Sequence, residues 1–386
     1  MSATEFFRKI FKLEPAYLAS APGRLEILGN HTDYNEGLVL SAAVSQKTDF
    51  AMSPVKGRIC RIVSEMDESV IEIDLDRVEE GIKKGCWSTY IKGVICEIRK
   101  RGADISAFDA AVTSTVPLSA GMSSSAALEV SALFAFQKAF GLKFTKTELA
   151  KIGQGAENNF VGVQSGLLDQ FSSIYGKKNS LILCDFRTNE VVKTVPVPEG
   201  YVIAVVNSTV KHTLVDSDYN VRRKSCENAV ARLRKTYPEI KALRDVTTQM
   251  LEKAKDALDF VDYKRALHIV GEDERVLAAV KTLDKSDIKS FGKILFESHE
   301  SSRRNFENSC PELDYLIELS MSLPGCVGAR LSGGGFGGIS IHFVEKTKVA
   351  EYSNRISTAY KLRTGIETVP ILCELGDGAE VKTVIS

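Results

Sequence analysis

Three segments of this 386-residue chain carry residue types that bind phosphate or sugar, and residues 117–127 (PLSAGMSSSAA) are the first. They lie between a strand-like apolar run and a helix-like run. Gly121 permits a tight turn, and Ser123, Ser124 and Ser125 add hydroxyls and free backbone N–H groups. The N-terminus of a helix binds phosphate through such groups, and a serine hydroxyl there can ligate Mg²⁺. The pattern predicts a phosphate loop, although small residues that only cap and pack a helix would look the same.

A glycine cluster at residues 331–338 (LSGGGFGG) is the second segment. Five glycines in six positions precede the apolar run 339–344. A strand loses packing with so many glycines, so the backbone there must adopt unusual dihedral angles or approach another group closely. A tight turn alone would explain the cluster equally well. Beside the serine-rich loop, a nucleotide site shared by both loops becomes the favoured interpretation, with Gly334 and Gly335 as backbone contacts.

The third segment, residues 22–35 (PGRLEILGNHTDYN), is unusually polar for an aliphatic stretch. If 24–28 is a strand, Arg24 and Glu26 share one face while Leu25 and Ile27 pack inward. The turn that follows presents several hydrogen-bonding side chains, namely Asn30, His31, Asp33 and Asn35. Sugars are bound by such groups because each buried, unpaired hydroxyl costs about 1–3 kcal/mol. A surface loop rich in Asx turns is the alternative.

Several protein classes are excluded by what the sequence lacks. It contains neither GxxxxGK[ST] nor HRD followed by DFG, so it is neither a P-loop enzyme nor a protein kinase. Fifty basic and fifty acidic residues cancel, which gives no general attraction to nucleic acid or anionic membranes. The eight cysteines include no CxxC pair, which argues against a zinc site or a disulfide framework. Residues 1–19 read as a helix and not as a signal peptide, and no run approaches the ~20 apolar residues of a membrane span. We therefore expect a cytoplasmic protein without a membrane or nucleic-acid partner.

Length and composition favour an ordinary globular protein of two domains, with 44% hydrophobic and 26% charged residues. We place the boundary at 205/206, with the polar segment and phosphate loop in 1–205 and the glycine cluster in 206–386. Periodicity predicts helices at 90–101, at 123–140 and within 219–299, and strands at 38–44, 59–73, 110–116 and 202–206.

In chain order, the three segments resemble the three motifs of the GHMP small-molecule kinases. Residues 23–35 resemble the galactokinase form, Gly-Arg-x-Asn-x-Ile-Gly-Glu-His-x-Asp-Tyr-Asn, with two departures. Further similarity to galactokinases covers 87–94, 157–171, 207–212, 219–223, 298–314, 328–330 and 377–379. The resemblance thus extends over nearly the whole chain.

This resemblance implies an α+β, two-domain GHMP kinase fold. Its N-terminal domain is of the ribosomal protein S5 domain 2-like type, its C-terminal domain is α/β, and the active site lies in the cleft between them. The implied reaction converts galactose and ATP to galactose 1-phosphate and ADP, with Mg²⁺ as cofactor.

The resemblance also implies roles for individual residues. Asp169 would be the general base for the 1-hydroxyl, and Arg24 would steady both Asp169 and the transferring phosphoryl group. The implied sugar contacts are Asn30, His31, Asp33, Gly166 and Tyr219. The implied nucleotide contacts are Trp87 against the adenine and Gly121, Ser123, Ser124, Ser125, Ala126, Gly334 and Gly335 around the phosphates. Glu157 and one serine hydroxyl, assigned here to Ser124, would hold Mg²⁺.

The chain departs from the galactokinase pattern at a pair of positions that look exchanged. Glu26 stands where the family has Asn, and Asn30 stands where it has the Glu that faces the sugar's primary hydroxyl. Either Glu26 restores the charge balance beside Arg24 and galactose remains the substrate, or the loss of a carboxylate near the 6-position admits galacturonate. We favour the first explanation. Ser119 replaces a usual glycine, and Lys211 replaces a frequent arginine.

Other functions within or near the family stay open. A non-catalytic sugar and ATP sensor would be expected to lose part of the phosphate loop, whereas 121–127 is uninterrupted and Asp169 is present. The segment 29–34 argues against mevalonate or homoserine kinase, while N-acetylgalactosamine 1-kinase is not distinguished. We expect a monomer that acts on a small-molecule sugar.

Overall fold

A computed structural model describes residues 1–80, 86–117, 121–211 and 215–384 of the chain, and residues 211 and 215–217 by their backbone only. Ser119 and the side chain of Lys211, two of the departures noted above, lie outside the described part. Within the described residues, no helix has both the length and the apolar character needed to cross a bilayer.

The described residues form runs of consecutive strands and runs of consecutive helices, as expected for an α+β protein. The helices are α1 (Ala3–Phe11), α2 (Ser88–Lys100), α3 (Ser124–Phe140), α4 (Lys146–Ala156), α5 (Leu168–Tyr175), α6 (Val215–Leu233), α7 (Thr248–Lys253), α8 (Phe260–Asp284), α9 (Ile288–Ser301), α10 (Pro311–Ser322) and α11 (Val349–Thr364). The strands are β1 (Tyr17–Leu28), β2 (Leu38–Pro54), β3 (Ile59–Ser64), β4 (Val70–Asp74), β5 (Phe108–Ser114), β6 (Ser180–Asp185), β7 (Glu190–Pro196), β8 (Tyr201–Lys211), β9 (Cys326–Ser332), β10 (Gly337–Glu345), β11 (Ile371–Cys373) and β12 (Glu380–Thr383).

The described strands form two sheets. The first has the order β12-β1-β2-β5-β3-β4, and β6 pairs with β2 and carries β7 at its other edge. The second has the order β11-β8-β10-β9. All pairings are antiparallel except that of β3 with β5. Because β12 pairs with β1, residues 380–383 return to the first sheet.

Two predictions about secondary structure were wrong in part. The helix predicted for the first nineteen residues ends at Phe11, and Tyr17 already begins β1, which is paired with β2 and β12. The single strand-like run at 59–73 is a hairpin of β3 and β4. In both places long-range strand pairing or a chain reversal decided the conformation. The helix expected at 123–140 is α3, and Gly141 closes it with a φ of 64°.

The domain boundary expected at 205/206 falls inside β8. All of that strand's partners belong to the second sheet, so the two sheets divide before Tyr201. The division between the two halves is also not sharp, because they share a hydrophobic core. Leu25 and Ile27 of β1 belong to one buried cluster with Ile339 and Phe343 of β10. This shared core holds the polar residues of β1 close to the glycine-rich turn between β9 and β10.

Candidate active site

Arg24 connects three parts of the chain at the centre of the site. It is one of the buried residues of β1, and its guanidinium reaches both α5 and the loop before α3. Nε and Nη2 lie 2.8 Å from Oδ1 of Asp169, and Nη1 donates to the Gly121 carbonyl at 2.6 Å. The two residues predicted to be catalytic are therefore in direct contact. A fork-shaped, permanently charged donor fixes the orientation of a carboxylate better than a point charge does.

Asp169 lies in the first turn of α5, and its side chain keeps 24% of its surface exposed. While Arg24 binds Oδ1, the hydroxyl of Ser123 donates a hydrogen bond to Oδ2. Ser123 precedes α3 in a left-handed conformation with a φ of 55°. Non-glycine residues rarely adopt this conformation, and such strain is concentrated at functional sites. The turn thus places a hydroxyl on the carboxylate and leaves the N-terminal amides of α3 beside it.

Glu157 accepts two serine hydroxyls next to this turn. Ser125 donates to Oε1 at 2.9 Å and Ser165 donates to Oε2 at 2.6 Å. Burial and the nearby Asp169 raise the pKa of the Glu157 carboxyl above its ordinary value. Among the described residues, the serine of the loop that contacts Glu157 is Ser125, while Ser124 makes no hydrogen bond to it. Ser124 lines the cavity of the serine-rich loop, and its expected role as a Mg²⁺ ligand stays a prediction.

The serine-rich loop and the glycine cluster meet, as predicted, around one open cavity of about 400 Å³. Its lining residues are Arg24, Gly121, Met122, Ser123, Ser124, Ser125, Asp169, Ser332, Gly333, Gly334, Gly335, Gly337 and Gly338. Gly335 has a φ of 83°, and a Cβ there would lie 2.1 Å from the Asn308 carbonyl. Only glycine therefore permits this turn to pack so closely.

Two predicted nucleotide contacts, Ala126 and Trp87, are not among the lining residues of either cavity, and both stay predictions. Ala126 is buried in α3 and packs in the hydrophobic core, so its side chain does not line either cavity of the site. Trp87 precedes α2 and packs against the core of the first half. Its indole N–H is buried without a partner among the described residues. The structure does not bring Trp87 to the phosphate loops, and its contact with adenine stays a prediction.

A second cavity of about 260 Å³ adjoins the first and shares Arg24, Ser125, Asp169, Gly333 and Gly334 with it. Its other lining residues are Glu26, Asn30, His31, Asp33, Tyr90, Glu157, Val161, Val163, Ser165, Gly166, Leu168 and Tyr219. All five predicted sugar contacts are among them. Polar residues from both halves of the chain thus surround a space next to Asp169.

Asp33 and Gly166 pack against each other in this cavity. The Asp33 carboxylate accepts hydrogen bonds from the backbone N–H groups of Tyr34, at 3.0 Å, and Leu168, at 3.4 Å. A Cβ on Gly166 would lie only 1.7 Å from Oδ2 of Asp33. Burial raises the pKa of Asp33 to about 6, and the neighbouring carboxylates of Asp169 and Glu26 act in the same direction.

His31 is held in one tautomer. Its Nε2 lies 3.0 Å from the Gly334 carbonyl and its Nδ1 lies 2.8 Å from the Tyr34 hydroxyl. Because a carbonyl only accepts, Nε2 carries the proton and Nδ1 accepts from the tyrosine. Burial lowers the pKa of His31 to about 4, so the ring is neutral at pH 7. Tyr219 packs on this ring with a centroid distance of 4.8 Å.

Asn30 is fully buried, and the protein uses its amide extensively. Nδ2 donates to Glu26 Oε1 at 2.9 Å and to the Gly333 carbonyl at 2.8 Å, and Oδ1 accepts from Asn308 at 2.8 Å. Both amide protons are therefore occupied before any ligand arrives. Asn30 joins the polar motif of β1 to the glycine turn, which the sequence alone did not indicate.

Arg330 of β9 is the functional-site residue that sequence reasoning missed. Its side chain is completely buried, and Nη1 donates to Glu26 Oε1 at 2.9 Å and to the Ile27 carbonyl at 3.4 Å. The charge partner of Glu26 is thus Arg330, whereas Arg24 pairs with Asp169. An arginine inside an apolar strand was the available signal, because such a charge is rarely buried without a partner.

The combined arrangement is suited to transfer of a phosphoryl group to a hydroxyl. A partly exposed carboxylate, Asp169, stands between a polar cavity that fits a small hydroxylated ligand and a glycine- and serine-rich cavity at a helix N-terminus. The glycine- and serine-rich cavity offers the N-terminal amides of α3 and the Arg24 guanidinium to an anion. Phosphoryl transfer requires alignment and charge stabilisation of this kind.

Known proteins match the chain along nearly its whole length. Residues 5–54 match the galactokinase galactose-binding signature, 89–177 the GHMP kinases N terminal domain and 279–362 the GHMP kinases C terminal model. The galactokinase of Roseiflexus sp. (strain RS-1) is 38% identical over 97% of this chain and 95% of its own length. That of Actinobacillus pleuropneumoniae serotype 3 (strain JL03) is 40% identical over 98% of both.

Solved structures match it as well. Lactococcus lactis galactokinase complexed with galactose superposes with a TM-score of 0.93 at 32% identity, over 98% of both chains. A mevalonate kinase with a TM-score of 0.62 and 15% identity shares the fold.

Proposed function

Because the chain belongs to the galactokinase family of the GHMP kinases, we propose that it transfers the phosphoryl group with Asp169 as general base and Arg24 as its charged partner. The reaction of the family converts galactose and ATP to galactose 1-phosphate and ADP, and this chain is such a kinase. The α+β GHMP kinase fold expected from the sequence is confirmed.

The contact between Arg24, Asp169 and Ser123 is the observation that carries the proposed mechanism. Arg24 and Ser123 hold the two carboxylate oxygens from different sides. A sugar hydroxyl that replaces the Ser123 hydroxyl at Oδ2 can pass its proton to Asp169 as its oxygen attacks the phosphoryl group. General-base catalysis of this kind contributes about 10²–10⁴-fold to a rate. Arg24 would then face the negative charge on the transferring group.

ATP occupies the cavity between the two loops in this proposal. Its phosphates would accept hydrogen bonds from the N-terminal amides of α3 and from the backbone at Gly334 and Gly335. Ser123, Ser124 and Ser125 lie at the N-terminus of α3, and Gly121 lines the same cavity just before them. The adenine would extend toward Trp87.

Mg²⁺ fits the oxygen donors of this region. Within the described residues, no group of three or more His, Cys, Asp or Glu side chains is arranged to hold a metal. Mg²⁺ is commonly held by only one or two carboxylates, with phosphate and water completing its shell. Glu157 with the Ser125 hydroxyl supplies such a partial set, and a cation there would relieve the repulsion between Glu157 and Asp169. When bound, the ion would neutralise charge on the phosphates.

Galactose is favoured over galacturonate because the carboxylate that Asn30 lacks is still present in the cavity. Glu26 lines the same space as Asn30 and hydrogen-bonds to it. The exchange has therefore moved the negative charge by four positions along the chain and has not removed it. We further propose that one chain forms the complete site and acts as a monomer in the cytoplasm.

ADP release with ATP, Mg²⁺ and a panel of galactose, galacturonate and N-acetylgalactosamine tests the function. We expect turnover with galactose, and we expect Asp169→Asn to lose about 10³-fold in kcat while its galactose Kd stays within threefold. Retained galactose binding without turnover in the wild type would favour a sensor. Turnover by Asp169→Asn comparable with that of the wild type would remove Asp169 from the role of base.

A further inference from the structure

The Glu26 carboxylate is held rigidly by a buried ion pair. Its Oε1 accepts from Nη1 of Arg330 and from Nδ2 of Asn30, both at 2.9 Å. Arg330 is completely buried, and Glu26 is almost so. Breaking a buried ion pair on one side is strongly destabilising, so Glu26 is firmly restrained in this orientation.

The other oxygen of this carboxylate is open to a ligand. Oε2 of Glu26 accepts no hydrogen bond from the part of the chain that the structure describes. Glu26 nevertheless lines the 260 Å³ cavity that adjoins Asp169. An ionised carboxylate has about four acceptor positions and no donor, and only those on Oε1 are used here. Glu26 therefore offers the cavity a charged acceptor with a fixed direction.

Asn30 offers the cavity a weaker acceptor than Glu26 does, although the galactokinase pattern has its sugar-facing Glu at the position of Asn30. Both of its amide protons are bound by Glu26 and the Gly333 carbonyl, and Oδ1 already accepts from Asn308. A neutral amide oxygen is also a weaker acceptor than a carboxylate. Within the pair, the group able to bind a hydroxyl strongly is therefore Glu26.

We propose that Glu26 is a specificity-determining residue whose Oε2 accepts a hydrogen bond from a sugar hydroxyl remote from the reacting 1-hydroxyl. This inference rests on the proposed function. Glu26 lies two residues beyond Arg24 on β1, or about 6.6 Å along a strand, and Arg24 holds the catalytic carboxylate. The carboxylate thus contacts the far side of the ring. It favours a neutral hydroxyl and repels a carboxylate at that place on the substrate.

Galactose binding by Glu26→Gln, measured by calorimetry, tests the proposal. Glutamine keeps an acceptor for Arg330 and Asn30 but removes the charge. A hydrogen bond to a charged group is worth about 1.5–3 kcal/mol, so we expect the galactose Kd to rise about tenfold or more. Across 2-, 3-, 4- and 6-deoxygalactose, the wild type should discriminate most strongly against one analogue. For Glu26→Gln, the ratio of the Kd of this analogue to the Kd of galactose should be at least about fivefold smaller than for the wild type. The reason is that the hydrogen bond missing in the analogue is the one that the substitution weakens.

Asp109→Asn is the matched control. Asp109 is also a buried carboxylate with an arginine partner, Arg61, but it lines neither cavity of the site. Asp109→Asn should leave the galactose Kd and the relative Kd values of the deoxygalactoses unchanged. If Glu26→Gln does not fold, Glu26→Met/Arg330→Met removes both charges of the pair together, a change that is often tolerated in buried pairs. This double variant should show the same loss of discrimination.

A crystal structure of the wild type with galactose gives an independent readout. Oε2 of Glu26 should lie within about 2.5–3.0 Å of a sugar hydroxyl oxygen other than that on C1. A separation above about 3.5 Å, or a Glu26→Gln variant with wild-type Kd and discrimination, would overturn the proposal. Absence of galactose phosphorylation by the wild type would instead refute the proposed function, whatever Glu26 contacts.

Discussion

Substituting alanine at Gly166 tests whether the position of Asp33 determines sugar recognition. A Cβ at this position would lie 1.7 Å from Oδ2 and 2.2 Å from Cγ of Asp33, whereas contacts under 3.0 Å essentially never occur. The carboxylate must therefore withdraw by about 1.3 Å. The backbone of Gly166 is not in the left-handed region, so alanine can adopt its conformation and the effect is purely steric.

A displacement of about 1 Å in a substrate-binding group can cost about 10²-fold. We therefore expect Gly166→Ala to lower kcat/KM for galactose by about 10²-fold, mainly through KM. The KM for ATP should stay within twofold because the nucleotide cavity does not include Gly166. Steady-state ADP release at varied galactose and varied ATP measures both values.

Gly271→Ala in α8 provides the matched control. A Cβ at Gly271 would meet only the flexible end of Arg275, at 3.1 Å. The same substitution should leave both KM values unchanged. In an Asp33→Ala background, Gly166→Ala should add no further loss, since the group it displaces is gone. Activity of Gly166→Ala within threefold of wild type, or a full additive loss in the double variant, would refute the reasoning.

Three further predictions concern pH, metal and stability. Since the pKa of Asp33 is raised to about 6, its negative charge is lost as the pH falls through 6, and kcat/KM for galactose should fall with it. The pH profile of Asp33→Asn should lack this acidic limb. A flat wild-type profile from about pH 5 to 8 would contradict the prediction. Glu157→Gln should raise the Mg²⁺ concentration that gives half-maximal rate about tenfold or more. It should also weaken the binding of Mn²⁺ measured by electron paramagnetic resonance. If both metal titrations match those of the wild type, Glu157 is excluded from the metal site. Gly292→Ala places a Cβ 1.9 Å from the Val327 carbonyl, so urea unfolding should show a loss of about 1–3 kcal/mol in the free energy of unfolding. If the variant is as stable as the wild type, α9 does not need glycine at this position to pack on β9.

Secondary structure could be predicted from the sequence where neighbouring residues determine the backbone conformation. The helix after the serine-rich loop and its end at Gly141 were predicted to within a residue, because helical hydrogen bonds and a left-handed cap are local. The start of β1 was not, since the strand exists through pairing with β2 and β12. The turn that splits 59–73 contains Glu68 with a φ of 52°, which is not a typical turn signal.

The partners of buried charges were not readable. On a strand, Arg24 and Glu26 share a face, which suggested that they balance each other. In the fold, Arg24 pairs with Asp169, 145 positions away, and Glu26 with Arg330, 304 positions away. Spacing along a strand defines the face on which a side chain lies, but the opposing charge comes from whichever element packs on that face.

The sequence by itself determined the types of chemical group and the local turns that present them: a serine-rich helix start, a glycine-rich turn and a polar strand end. The tertiary structure alone decided which serine contacts Glu157, that Asn30 is occupied by Asn308 and Gly333, and that Glu26 keeps an open oxygen beside the cavity. The physical reason is that backbone conformation depends largely on near neighbours. The satisfaction of a buried polar atom depends instead on groups that only the completed packing of both halves brings within about 3 Å.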